Sequence, residues 1–162
     1  MLFSKNKQLR SERAFVLEEK EPDFNEDELV DTELSILPNW TDSIEQEYVL
    51  RFLNNENEPM KQNKISLSGI EINEDEDGGI IVTAFVRSSL KKAVTLESLP
   101  IILIGPEGER LASKVFDLSE LGEIPPRTSR PWHFYFSPFD IYSSSIPKNG
   151  WRLAFEIQKN NR

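Results

Sequence analysis

GIIVTAFVRSS, residues 79–89, is the stretch on which the fold turns. It is rich in β-branched residues, which favour extended backbone. Read with a period of two, Ile80, Val82, Ala84 and Val86 share one face, and Ile81, Thr83, Phe85 and Arg87 share the other. Both faces are largely apolar, so the strand is predicted to be central in its sheet and covered on both sides.

Working outward toward the N-terminus, NEDEDGG at 73–79 is a turn. Its acids lack the spacing and the closing glutamate of a calcium loop, so it reads as a solvated hairpin tip. Before it, Ile65 and Leu67 alternate with polar residues, and Ile70 and Ile72 do so on the opposite parity, with Gly69 at the slip. A β-bulge at Gly69 is predicted to return all four side chains to one face. The stretch 54–64, with Pro59, is a polar linker. Ahead of it, TDSIEQEYVLRFLNN at 41–55 offers two capping-box patterns, Asp42 with Glu45 and Ser43 with Gln46. A helix over 43–53 follows, with Ile44, Tyr48, Phe52, Val49 and Leu53 on its buried face. Tyr48, Leu50 and Phe52 also alternate, and a strand over Glu47–Phe52 competes with the helix.

Toward the C-terminus, residues 90–92 turn, VTLESLPIILIG at 94–105 is a strand region broken near Pro100, and GPEG at 105–108 marks a hairpin whose second arm is ERLASKVF, 109–116. Within the irregular stretch 117–129, Asp117 is placed to cap a single helical turn ending at Gly122. PWHFYF at 131–136 is a strand with Trp132, Phe134 and Phe136 inward. A long connection leads to WRLAFEIQ, 151–158, with Trp151, Leu153, Phe155 and Ile157 inward. Some six strands with frequent turns, and no helix suited to a βαβ unit, predict an all-β, Ig-like antiparallel β-sandwich. A short helix and a disordered acidic N-terminal arm precede it. The arm is expected over residues 1–35 and the sandwich domain over 36–162.

The net charge of −9 is unevenly placed. Residues 1–17 are basic by three charges, and residues 18–47 hold twelve acids against Lys20. The remainder, from residue 48 on, is nearly neutral. An acidic, apolar-poor leader cannot bury enough surface to offset its ordering entropy. It reads as a solvated tail or as an arm that docks on a basic partner, with Phe24, Leu29 and Val30 as anchors. No concentrated basic patch is present, so nucleic acid is not an expected partner.

Hydrophobic residues make up 38 %, and there are no cysteines and one histidine, His133. Thiol catalysis, disulfides and clustered thiolate or imidazole metal sites are thereby excluded. His133, between Trp132 and Phe134 on the outward parity, reads as an exposed strand residue rather than a catalytic base. Neither phosphate-loop pattern occurs, and the paired carboxylates lie in turns or in the leader, where nothing would tune their pKa values. No enzymatic activity, metal or cofactor is expected. Arg127 and Arg130 flank Thr128–Ser129; they read either as a structural clamp, with Arg130 on an aromatic or on Asp117, or as a partner-facing hot spot beside Trp132. The N-terminal MLFSKNKQLRSERAF lacks the apolar stretch of a secretory signal. No run approaches the roughly 20 apolar residues of a transmembrane helix. The expectation is a cytoplasmic protein with no direct membrane insertion.

Several stretches taken together resemble a known family: LPNWTDSIEQEYVLRF, ISLSGIEI, AFVRSSLKK and KVFDLSELGEIPPRTSRPWHFYF. The set resembles the SLAP domain of bacillus-type accessory Sec proteins that assist S-layer assembly, over roughly Leu37 to Ile157. Phe116-Asp117-Leu118, Leu121 to Pro126 and Ser129-Arg130-Pro131-Trp132 are its most specific pieces. The resemblance implies a factor without activity of its own that works with the accessory SecA ATPase, with S-layer protein precursors, or with a larger SLAP-domain relative. It supplies no catalytic residues. Arg127, Arg130, Trp132, Phe24 and Leu29 are therefore proposed as protein contacts from their chemistry alone. A secreted or wall-associated Ig-like binding module is the alternative function. Capture of an unfolded precursor by an exposed sheet edge and docking of an aromatic patch on the export motor both remain open as mechanisms.

Overall fold

The computed structural model describes residues 28–156. Its strands are β1 (Glu33–Leu34), β2 (Ile65–Glu74), β3 (Ile80–Ser88), β4 (Ser98–Ile104), β5 (Arg110–Asp117), β6 (Thr128–Phe136) and β7 (Arg152–Phe155), with one α-helix, α1 (Ile44–Glu56). They form two sheets, ordered β1-β6-β3-β2 and β5-β4-β7. The all-β sandwich read from the sequence is the fold.

β3 lies between β6 and β2, the central place its two apolar faces require. Its even-numbered side chains face the second sheet. Val82 opposes Phe134, and Ala84 opposes Trp132. Between the sheets they meet Ile101, Leu103, Leu153 and Phe155. Phe116 of β5 meets Phe134 and Phe136 edge-on, each at 5.2 Å between ring centroids, an arrangement that aligns ring edges with ring faces. Leu118, Leu121 and Ile124 close one end of this core. They are held by a 3-10 turn, Leu118–Leu121, which Asp117 caps by accepting from the Ser119 N–H. Gly122 ends the turn at φ 71°, a conformation glycine adopts without cost.

The β2 slip is a true bulge, with the register shifting between Gly69 and Glu71. Its effect differs from the expectation. Ile65, Leu67 and Ile72 face the main core, but Ile70 turns to the outer face of the sheet and joins Phe85 and Leu50 under α1. The helix supplies the cover that makes an outward isoleucine favourable. Gly69 stands where the Trp151 ring crosses β2: a Cβ there would lie 2.4 Å from the ring. Gly69→Ala should therefore displace Trp151 and cost about 1–3 kcal/mol, read as a lower urea midpoint at an unchanged slope.

Two further expectations shift. The chain is tied into the fold earlier than residue 36. Val30 and Met60 exchange backbone hydrogen bonds, and β1 runs parallel to β6 through Glu33 N–H to the Arg127 carbonyl and Ser35 N–H to the Ser129 carbonyl. The first sheet is thus mixed rather than wholly antiparallel. The helix expected over 43–53 is present, running 13 residues from the Ser43 cap, and the competing strand over Glu47–Phe52 is not formed. Ser43 Oγ accepts from the Gln46 N–H at 3.0 Å.

A candidate docking face on the helix

α1 lies against the outer face of the first sheet. Its contact with that face is narrow: Leu50 is buried and Leu53 half-buried, and with Leu34, Ile36 and Trp40 they cover Ile70 and Phe85. Asn54 extends the same side and is buried as well. The predicted buried face is therefore corrected. Ile44 is 85 % exposed, Tyr48 73 %, and Val49 and Phe52 51 % each. At about 100° per residue, Ile44, Tyr48 and Phe52 line one stripe, and Val49 sits at its margin. Leu50, Leu53 and Asn54 occupy the opposite arc. The helix has apolar side chains around most of its circumference, and one sheet can cover only part of them.

Four large apolar side chains contiguous at helical spacing differ from scattered surface hydrophobics and mark an interaction surface. The rim of the stripe is acidic: Glu45, Glu47 and Glu56 lie on the same helix. Its single basic residue, Arg51, is paired with Glu47 at 3.1 Å. An apolar partner surface with a basic border is the complement.

The residues proposed from sequence separate. Arg127 is exposed, with its backbone in the left-handed region at φ 58°. Arg130 is 6 % exposed and faces inward. Its Nη1 donates to the Leu121 carbonyl at 2.6 Å and the Glu123 carbonyl at 3.1 Å. Its Nε and Nη2 donate to the carbonyl and hydroxyl of Ser35 at 3.3 and 2.7 Å. Of the two readings of Arg130, the clamp is the one the geometry supports, with carbonyls in place of an aromatic or Asp117. Burial lowers its pKa from the ordinary arginine value. Trp132 is half-buried against the main core. Leu29 is exposed at the start of the described chain, and Phe24 lies outside the described residues.

His133 projects from the outer face of β6. Its ring stacks on Trp40 with centroids 4.6 Å apart, and its Nδ1 is 2.8 Å from Thr83 Oγ1. Burial holds the imidazole below its ordinary pKa, opposed in part by Glu71. The unfolded chain therefore takes up a proton first as pH falls. The contribution to stability is full above the unfolded value near 6.5 and is lost as pH drops through the folded one. Since this is the sole histidine, the urea midpoint should fall between about pH 7.5 and 5.5, and His133→Gln should flatten that dependence. At the hairpin tip, Tyr135 donates to Asp77. That bond pushes the phenol up to about 12. Among the described residues no group of three His, Cys, Asp or Glu side chains could hold a metal ion, and no helix is long and apolar enough to cross a membrane.

Sequence reasoning missed the exposed stripe because an apolar repeat at four-residue steps ordinarily faces a core. The available signal was the excess: six apolar residues spread over both sides of one short helix. No curated protein and no solved structure is significantly similar to the chain. A family model described as the SLAP domain matches residues 34–157, from β1 through β7. That span takes in both sheets, the Arg130 clamp and α1 with its exposed stripe, and the chain belongs to the SLAP domain family.

Proposed function

We propose that this protein is a non-enzymatic accessory factor for the export and assembly of S-layer proteins, acting with the accessory SecA ATPase through protein contacts. Membership of the SLAP domain family supports the pathway. The observation that carries the mode of action is the stripe of Ile44, Tyr48, Val49 and Phe52, which has the composition of a contact surface and no cover within the described residues. Between the two mechanisms open from sequence, the stripe favours patch docking on the export motor. The reading places the protein in the cytoplasm, at the inner side of the membrane when engaged.

Co-purification tests it. The tagged chain should retain the accessory SecA ATPase or an S-layer precursor from lysate of its own host, and a deletion strain should accumulate unexported S-layer protein. Normal S-layer export in the deletion strain would contradict the reading.

A further inference from the structure

A cleft of about 510 Å³ opens between β1 and the C-terminal half of α1. Its floor is polar and buried. Arg87 is 4 % exposed. It donates through Nε to Thr32 Oγ1 at 3.2 Å and through Nη2 to the Glu58 carbonyl at 3.0 Å. Burial lowers its pKa to about 10 against the pull of Asp31 and Glu58. Asn54, 6 % exposed, donates its Nδ2 to the Thr32 carbonyl at 2.9 Å. Its Oδ1 is buried with no partner. Asn57 accepts from Ser68 Oγ at 2.9 Å through Oδ1, and its Nδ2 is likewise buried and unpartnered.

A buried polar atom without a partner costs about 1–3 kcal/mol, so two on residues that line one cleft require a reason. Here they are an acceptor and a donor, the pair that an amide group satisfies in one step. A third element lies beside them. The N–H groups of Glu33 and Ser35 are committed to β6. Strand alternation therefore turns the N–H and carbonyl of Leu34, which also lines the cleft, outward along the free edge of β1. Charge is balanced around the site: Asp31 and Glu33 oppose Arg51 and Arg87. A neutral polar ligand fits this better than an ion.

We infer that this cleft binds an extended peptide segment. The segment adds as a strand to the free edge of β1, and one of its amides, backbone or Asn/Gln side chain, spans Asn54 Oδ1 and Asn57 Nδ2. This rests on the export reading above and deepens it, because an unfolded precursor presents such segments, whereas the apolar stripe of α1 serves a folded partner. The precursor and the motor then occupy different sides of one helix.

The test is an NMR titration of the full 15N-labelled chain with a soluble peptide of about ten residues, alternating threonine and valine around a central asparagine. The expected result is a saturable shift of the Asn57 side-chain amide and the Leu34 backbone amide, with Leu34 gaining exchange protection. Asn57→Asp keeps the acceptor for Ser68 but puts a charged acceptor oxygen where the donor was, and it should weaken binding roughly fivefold or more. Asn55→Asp, which adds the same charge at the exposed mouth, should not. Tyr48→Lys with Phe52→Lys should leave peptide affinity unchanged. Shifts confined to the edges of β2 or β5 or to the apolar stripe, no saturable shift, or equal affinity of Asn57→Asp would overturn the inference. Its failure would leave capture of the motor by the stripe untouched, so the two readings fail separately.

Discussion

Replacing Arg130 by methionine should lower the stability of the domain by about 3 kcal/mol or more, a fall of roughly 10 °C in Tm. The guanidinium is buried, and its four hydrogen bonds go to Ser35, Leu121 and Glu123. It joins three parts of the chain: the segment after β1, the 3-10 turn that closes the core, and β6. Methionine fills much of the volume but leaves three carbonyls in a site they no longer share with a donor. Arg130→Lys keeps the charge and reaches fewer of those carbonyls, so it should fall between the two. Arg127→Met, at an exposed position one strand-parity away, should change stability by less than about 0.5 kcal/mol. Thermal unfolding of the three variants measures the contrast. Equal stability of Arg130→Met and the parent would remove the clamp.

Reversing the character of the helix stripe should abolish partner capture while sparing the fold. Tyr48→Lys with Phe52→Lys removes two aromatic anchors from the surface. Each such anchor typically contributes more than about 1 kcal/mol at an interface centre, so a loss of affinity of at least about tenfold is expected. The lysines also meet the basic border expected of the partner, which adds repulsion. Within the helix they fall three residues after Glu45 and four before Glu56, spacings that support a helix. Circular dichroism and urea unfolding should therefore match the parent within about 0.5 kcal/mol, and co-purification of the motor should be lost. A variant that still captures its partner at parental strength would place the interface elsewhere.

Much of this was legible in the sequence, for identifiable reasons. The two apolar faces of residues 80–87 fixed β3 at the centre of its sheet, since both faces had to be covered. Asp117 and Gly122 announced a capped turn by their residue types alone. Arg130 shares the even parity of Trp132, Phe134 and Phe136, so its inward direction was readable as well. Its carbonyl partners were not, because Ser35 lies far away in sequence. β1 was hidden: a two-residue parallel strand, joined to β6 by backbone groups, sits inside an acidic run whose composition signals disorder. The direction of Ile70 and the exposure of the helix stripe were missed together. Each depends on which arc of α1 meets the sheet, and a helix with apolar residues on both sides does not reveal that. The orphan pair Asn54 and Asn57 gave no sequence signal, because both sit in what reads as a polar linker.

The most direct measurement is crosslinking in living host cells with a photoreactive residue in place of Tyr48, set against the same residue in place of Lys92, which is exposed in the turn after β3. The expected result is an adduct with the accessory SecA ATPase from position 48, none from position 92, and loss of the adduct when Phe52→Lys is added. The contradicting result is no adduct from position 48, or equal yields from the two positions.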